Sequence, residues 1–178
     1  MVGRGNVGGG LARLFRDAGH DVDEIGKDGG DVSAADALVV ALPSDAIADG
    51  LGKVSGADGK ATIDATNPLA GRPENHDSLA EWAKSITGGP TAKAFNLNFA
   101  RIYDKVREQR TMPSMPWCGD DGARDVTEQL IRDAGYEPVY CGGLDKARAL
   151  EDALPFVFAA MQGAGEPVFY RIAKPGEL

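Results

Sequence analysis

The fold is decided by the opening stretch Met1-Val-Gly-Arg-Gly-Asn-Val-Gly8, in which Gly3, Gly5 and Gly8 have the spacing G-x-G-x-x-G. The first glycine permits a tight turn from strand to helix, the second lets a ligand approach the backbone, and the third lets helix and strand pack closely. Apolar residues then recur at helical spacing up to Gly19, which predicts an amphipathic helix that ends there. The free N–H groups at the start of this helix suit a phosphate, so the stretch predicts a nucleotide-binding turn.

The strand expected before Gly3 is unusually short, since Met1 and Val2 alone stand before the turn. Either the natural chain begins upstream of this methionine, or the fold tolerates a truncated first strand. A central parallel strand is buried on both faces, so we expect the truncation to lower stability and to disturb a site built on that strand.

The composition limits the functions to be considered. The chain has 178 residues, 43% of them hydrophobic, which is enough for one full domain with a core. Its net charge of −8 argues against binding to nucleic acid or to an anionic membrane surface. The apolar runs are too short to span a bilayer and no signal-peptide pattern is present, so we expect a cytoplasmic protein without a membrane partner. Cys118 and Cys141 lack metal-ligand spacing, so we expect two buried thiols and no metal site.

Strand-like and helix-like segments alternate along the chain. This order predicts an α/β fold with a doubly wound parallel sheet. Residues 97–112 are irregular in pattern, Pro113–Pro116 predicts a break before the sixth strand, and residues 144–162 predict one long apolar helix. Such a helix is buried on more than one side, either in the core or in a dimer interface, and the second is favoured. The predicted strands are 20–25, 37–43, 61–65, 91–96, 117–119 and 137–141, and residues 168–172 form a strand or an extended tail.

In such sheets, ligands bind outside the carboxyl ends of the strands. The backbone N–H groups of Asn6 and Val7 are placed to meet a phosphate. After the second strand an acidic residue would favour NAD and a cation would favour NADP. Lys27 lies there, although Asp28 adjoins it and Glu24 is close, and Arg4 is a second candidate for the same 2′-phosphate. NADP is therefore favoured over NAD, although Lys27 also fits a solvated turn lysine. We expect the Asn67 side chain to contact the nicotinamide ribose.

No catalytic residue is assigned. Asp64 lies inside the fourth strand, where a carboxylate bonded to loop amides is favoured over a catalytic role. His20 and His76 lack the partners that nucleophilic catalysis requires. Hydride transfer between two bound cofactors needs little proton chemistry, because positioning does most of the work.

Motifs along nearly the whole chain together resemble one family. They are Gly3-Arg-Gly-Asn-Val-Gly-Gly-Gly-Leu-Ala12, Asp64-Ala-Thr-Asn-Pro68, Lys93-Ala-Phe-Asn96, Cys118-Gly-Asp-Asp121, Ala134-Gly-Tyr-Glu-Pro-Val139 and Gly143-Leu-Asp-Lys-Ala-Arg-Ala-Leu-Glu151. They resemble the predicted dinucleotide-binding proteins related to deazaflavin (coenzyme F-420)-dependent NADP oxidoreductase.

The resemblance implies a Rossmann-like NAD(P)-binding domain over residues 1–142, with its first strand truncated, and a small C-terminal helical extension over residues 143–178. It also implies a homodimer, small-molecule cofactors as partners, NADP as the cofactor and deazaflavin as co-substrate. The implied cofactor-binding residues are Gly3, Arg4, Gly5, Asn6 and Val7 at the pyrophosphate, Lys27 near the 2′-phosphate, Ala41, Leu42 and Pro43 at the adenosine side or ribose, and Asn67, Phe95 and Asn96 at the nicotinamide and deazaflavin rings.

Three functions remain open from the sequence. The leading one is an NADP-dependent oxidoreductase with a deazaflavin or related acceptor. The second is a catalytically silent NADP(H)-binding sensor or interaction protein, which the truncated first strand and the lack of acid–base residues favour. The third reduces a flavin or a small carbonyl compound, and would need a Tyr, Lys or His near Asn67 or Asn96, where the sequence does not place Tyr103 or Lys105.

Overall fold

The computed structural model describes residues 1–176 of the chain. Its strands are β1 (Gly30–Asp31), β2 (Ala37–Val40), β3 (Val54–Ser55), β4 (Ala61–Asp64), β5 (Thr91–Lys93), β6 (Ser114–Gly119) and β7 (Glu137–Tyr140). Its α-helices are α1 (Asn6–Asp17), α2 (Ile47–Gly52), α3 (Leu79–Thr87), α4 (Arg124–Asp133), α5 (Ala147–Asp152) and α6 (Leu154–Ala164). A 3-10 helix, Ala100–Glu108, takes up most of the link between β5 and β6.

The main sheet has the strand order β2-β4-β5-β6-β7. Strands β2, β4 and β5 run parallel, which confirms the predicted α/β doubly wound fold. Strand β6 is antiparallel to β5, and β7 is parallel to β6, so the sheet is mostly rather than wholly parallel. The difference arises in the link over residues 94–113, which brings β6 into the sheet from the opposite end. Strands β1 and β3 form a separate small parallel pair.

The short first strand occupies its expected place in the sheet. Val2 bridges Ile25 on one side and Val40 on the other, both in parallel orientation. Its N–H donates to Val39 O at 2.8 Å and its carbonyl accepts from Ala41 at 2.8 Å. The turn that follows is therefore anchored on both sides, at the point where the strand order reverses.

Helices cover both faces of the sheet, as the alternation of buried residues requires. Helix α1, the 3-10 helix and α4 enclose one cluster that includes Phe15, Val39 and Tyr136. Helices α2 and α3 enclose another on the opposite face, which includes Val40. Helix α1 ends at Asp17, and Gly19 follows with φ +96°, so the predicted C-terminal glycine is confirmed.

Several predicted strand boundaries are wrong: the strand predicted over 37–43 ends at Val40, and the one predicted over 20–25 is a single bridge at Ile25. Pro113–Pro116 does not form a break, because Ser114–Gly119 is one continuous buried strand. Pro116 is tolerated there because the pairing with β5 covers Cys118 and Gly119 but does not reach back to the proline. Strand β5 ends three residues earlier than predicted, since Phe95 has a left-handed φ of +64°.

The predicted single helix over residues 144–162 is also wrong. The segment divides into a 3-10 turn, α5 and α6, with Ala153 between the two α-helices and Pro155 in the first turn of α6. A proline has no N–H to continue the preceding helix, so it suits a helix start. In α6 the buried residue is Val157, while Phe156 is 77% exposed, so burial on more than one side is not found within the chain.

Cys118 is buried as predicted, but Cys141 is exposed because it follows the end of β7. Over residues 1–176, no helix combines the length and apolar character needed to cross a membrane. The same residues hold no cluster of three or more His, Cys, Asp or Glu side chains that could ligate a metal. Val168–Ile172 forms no strand but an extended tail, in which Tyr170 O accepts from Ser114 N–H at 2.9 Å.

Candidate functional site

The three glycines of the turn have different neighbours. Gly3 has φ +106°, and a Cβ there would overlap the carbonyl of Ala41, while a Cβ on Gly8 would overlap the carbonyl of Gly3. Both glycines are therefore required by the protein itself. A Cβ on Gly5 would meet nothing within 4 Å, and its φ of −73° suits any residue. Gly5 leaves open space above the backbone, where a ligand can approach closely.

Helix α1 begins at Asn6 without a side-chain cap. Gly5 is its N-cap residue, and no acidic residue lies in its first turn. The first N–H groups of the helix, including those of Asn6 and Val7, have no intrahelical partner and carry the positive end of the helix dipole. These exposed donors suit an anion such as a pyrophosphate.

Two cations lie near Gly26, directly after Ile25, where the predicted strand 20–25 ends. The guanidinium of Arg4 lies over Gly26 so closely that a Cβ on that glycine would overlap it. Lys27 follows and is exposed, and neither cation forms an ion pair among the described residues. The nearby acid, Glu24, is held by Arg16 at 2.7 Å. This end of the cleft therefore has two cations without ion-pair partners, and Asp28, next to Lys27, is a carboxylate that is likewise unpaired among the described residues.

The carboxyl ends of the strands predicted over 37–43, 61–65 and 91–96 lie along the same edge of the sheet. Ala41 packs its carbonyl against Gly3, Leu42 contacts Gly50, and Pro43 is exposed ahead of the next turn.

An asparagine pair joins two of these tips. Asn67 Nδ2 donates to Asn96 O at 2.7 Å, and Asn96 Nδ2 donates back to Asn67 Oδ1 at 3.1 Å. Asn96 Nδ2 also donates to Leu150 O at 3.1 Å. Two buried oxygens here, Thr66 Oγ1 and Asn96 Oδ1, have no hydrogen-bond partner among the described residues.

Phe95 belongs to the core rather than to the cleft wall. It is 1% exposed, and its ring meets that of Phe15 edge-on with the centroids 5.9 Å apart. Its predicted contact with the ligand rings therefore has no exposed side-chain surface to use. The unusual backbone conformation at this residue instead turns the chain so that Asn96 faces Asn67.

A buried ion network supports this edge of the sheet, and the sequence analysis did not predict it. Lys93 Nζ donates to Asp64 Oδ2 at 2.7 Å, to Thr66 O at 2.6 Å and to Glu151 Oε1 at 2.9 Å. All three charged side chains are 0% exposed. Asp64 Oδ1 accepts from Thr66 N–H at 3.0 Å, which confirms its predicted bond to a loop amide. The sequence does carry one signal for this network: Asp64 and Lys93 are charged residues that each end a buried strand.

The candidate acid–base groups lie elsewhere. The hydroxyl of Tyr103 is buried without a partner, and its burial raises its pKa well above the usual range, so it is poorly suited to donating a proton. His20 pairs with Asp133 at 2.7 Å near the end of α1 remote from the glycine turn. The ring of His76 stacks on that of Trp82, with the centroids 6.4 Å apart.

A cavity of about 540 Å³ opens between the first half of α1 and the start of the 3-10 helix. It begins at the glycine turn and extends along both elements. Its lining residues are Arg4, Gly5, Asn6, Gly9, Gly10, Arg13, Ala100, Arg101, Tyr103 and Asp104.

Comparisons with known proteins find no matching family model and no matching curated sequence. Solved structures do match. A candidate F-420-dependent NADP reductase from Arthrobacter sp. FB24 is 22% identical, with 97% of each chain covered and a TM-score of 0.82. A hypothetical protein, SMa0349 from Sinorhizobium meliloti, is 22% identical, covering 79% of this chain and 82% of that one, with a TM-score of 0.62. A reductive aminase from Aspergillus terreus in complex with NADPH and ethyl levulinate is 14% identical, covering 92% of this chain and 60% of that one, with a TM-score of 0.65. The resemblance predicted from the sequence is confirmed at the level of the fold.

Proposed function

We propose that the protein is an NADP-dependent oxidoreductase that transfers a hydride between NADP(H) and a deazaflavin or a related acceptor. The observation that carries the proposal is the uncapped start of α1 beside the open face of Gly5. A dinucleotide pyrophosphate fits both features, since it needs N–H donors and a close approach to the backbone. The fold shared with the Arthrobacter protein supports the deazaflavin acceptor through that protein's name.

The positive charges of Arg4 and Lys27 near Gly26 favour NADP over NAD. Arg4 and Lys27 stand where the adenosine ribose of a bound dinucleotide would lie, and Arg4 already covers Gly26. An NAD-binding site instead needs a free carboxylate for the ribose hydroxyls. Glu24 is paired with Arg16, so Arg4 and Lys27 outnumber Asp28, the one carboxylate beside them that is unpaired among the described residues.

The other strand tips fit the rest of the coenzyme. The proposal places Ala41, Leu42 and Pro43 at the adenosine side or ribose, and Asn67 and Asn96 near the nicotinamide.

When bound, the coenzyme donates or accepts the hydride, and this chain's residues bind and orient it. We also propose that the protein acts in the cytoplasm as a homodimer joined through the exposed apolar residues of α6, of which Phe156 is 77% exposed.

Titration with NADPH and with NADH, followed by coenzyme fluorescence, tests the proposal. We expect NADPH to bind more tightly, and reduced deazaflavin then to reduce bound NADP⁺ in stopped-flow absorbance. Binding without hydride transfer would instead support the silent sensor, and absence of binding by either nucleotide would refute both functions.

The Gly5→Ala variant localises the binding. Its added methyl meets nothing in the free protein, so the unfolding midpoint should not change while the NADPH Kd rises ~10-fold or more. Gly52→Ala is the matched control, because a Cβ on Gly52 at the end of α2 also meets nothing within 4 Å. Equal NADPH affinity in the two variants would contradict pyrophosphate binding at Gly5.

A further inference from the structure

The cavity beside the glycine turn has two walls from different elements. Helix α1 contributes Gly10 and Arg13, and the start of the 3-10 helix contributes Arg101 and Tyr103. The walls meet where the Tyr103 ring lies against Gly10, since a Cβ on that glycine would come within 2.7 Å of the ring. The aromatic ring and the helix therefore fix the spacing of the two arginine-bearing walls.

The arginines of this cavity lack ionic partners. None of Arg4, Arg13 and Arg101 forms an ion pair within residues 1–176, and Asp104 is the acid among the lining residues. Other arginines of the chain, among them Arg16 and Arg72, are paired with carboxylates. In a chain with a net charge of −8, three arginines around one cavity that lack ion pairs in the described part of the chain, against a single lining acid, favour an anionic ligand there.

The three arginines serve different parts of the cavity. Arg4 lies over Gly26, toward the adenosine end of the proposed coenzyme site. Arg13 lies seven residues beyond Asn6, about 10 Å along the axis of α1, and faces the 3-10 helix. Arg101 lies on that helix, five residues after Asn96 in the chain. The part of the cavity between Arg13 and Arg101 therefore adjoins the proposed pyrophosphate site, because Gly5 and Asn6 line the same cavity.

Resting on the proposed function, we infer that Arg13 and Arg101 bind an anionic arm of the second substrate. The hydride acceptor is then a redox ring that carries a phosphate or carboxylate group, and this group, not the ring, enters the arginine cavity. Guanidinium groups suit this task because they make paired, charge-assisted hydrogen bonds to such anions. A neutral carbonyl substrate would leave the two arginines unpaired.

FMN and riboflavin test the inference, because they share a ring and differ by a phosphate. Their binding is measured by equilibrium dialysis, with and without saturating NADP⁺, in the wild type, Arg13→Gln, Arg101→Gln and the control Arg110→Gln. Arg110 is an exposed arginine that does not line the cavity. We expect the wild type and the control to bind FMN ~10-fold more tightly than riboflavin, and both cavity variants to lose this preference.

The NADPH affinity of the same four proteins separates the second substrate from the coenzyme as the source of the anion. We expect it to stay within twofold across the series. Loss of NADPH affinity equal to the loss of FMN affinity would assign the arginines to the coenzyme and overturn the inference. Equal affinity for FMN and riboflavin, or binding of neither, would also overturn it. An FMN preference in a protein that binds no NADPH would refute the proposed function but leave the anion site standing.

Discussion

The Lys93→Met substitution gives the sharpest test of how the strand edge is held together. Lys93 Nζ makes three hydrogen bonds of 2.6–2.9 Å, two of them to carboxylates that are fully buried with it. Methionine has a similar unbranched shape and removes the charge. Asp64 and Glu151 then remain in the interior, where Asp64 keeps the Thr66 N–H and Glu151 keeps the Leu79 N–H and Arg72.

The expected cost follows from burial. Removing one partner of a buried ion pair destabilises a protein by about 3–5 kcal/mol, because an uncompensated charge is left behind. The control is Lys84→Met, which breaks the Lys84–Asp120 pair of the same 2.7 Å length with side chains 41% and 27% exposed. Exposed pairs contribute about 0–1 kcal/mol. The two variants delete the same group at the same distance from a carboxylate, so their difference measures burial together with the further bonds of Lys93 to Glu151 and Thr66 O.

Urea unfolding followed by tryptophan fluorescence provides the assay, with both variants compared to the wild type at pH 7. We expect the unfolding free energy of Lys93→Met to lie at least ~2 kcal/mol below that of Lys84→Met. Similar stabilities would refute the argument that the buried network holds the edge. If Lys93→Met does not fold, Asp64→Asn replaces it, with a smaller expected loss because Lys93 keeps Glu151 and Thr66 O.

Three further outcomes are expected. Iodoacetamide at pH 8 should label Cys141 alone in the native protein and Cys118 only after unfolding, because burial raises the pKa of Cys118 to about 12; mass spectrometry that finds both labelled at once would contradict this. Burial acts to raise the pKa of Asp133, but hydrogen bonds, one of them with His20, hold it below its usual value. Its stabilising effect is therefore present above the unfolded-state pKa and is lost on acidification, so the stability gap between the wild type and Asp133→Asn should close as the pH falls below about 4 in urea titrations. Phe156→Asp should convert the proposed homodimer to a monomer in light scattering, whereas a wild type of monomer mass would remove the dimer proposal.

The features that were predictable from the sequence are those that local rules determine. The glycine spacing encodes backbone demands within eight residues, and the structure meets them at Gly3 and Gly8. The fold class was predictable for the same reason, because the spacing of apolar residues that distinguishes a helix from a strand is a local property of the sequence. The direction of β6 was not predictable, because it depends on how residues 94–113 cross the sheet. The division near Ala153 was missed because the apolar pattern continues through Pro155.

The position of the candidate site at the strand ends was predictable, but the side-chain orientations and the cavity around it were not. The strand-end rule brought Asn67 and Asn96 to one edge, and they do hydrogen-bond to each other. The same rule placed Phe95 there, although its side chain turns into the core. Arg13 and Arg101 are 88 residues apart in the chain but line the same cavity. A single sequence does not reveal that proximity.

Glu151 shows how the C-terminal segment takes part in the candidate site. Its Oε1 accepts from Lys93 at the end of β5 and from the Leu79 N–H at the start of α3, while its Oε2 accepts from Arg72 in the preceding loop. The adjacent Leu150 carbonyl accepts from Asn96. One turn of α5 therefore fixes a strand end, a helix start and a loop around the asparagine pair. The proposed division after residue 142 would separate this turn from its partners, leaving Lys93 without one of its two carboxylates and Asn96 without a backbone acceptor. Helix α5 must consequently be docked before the asparagine pair has its observed geometry.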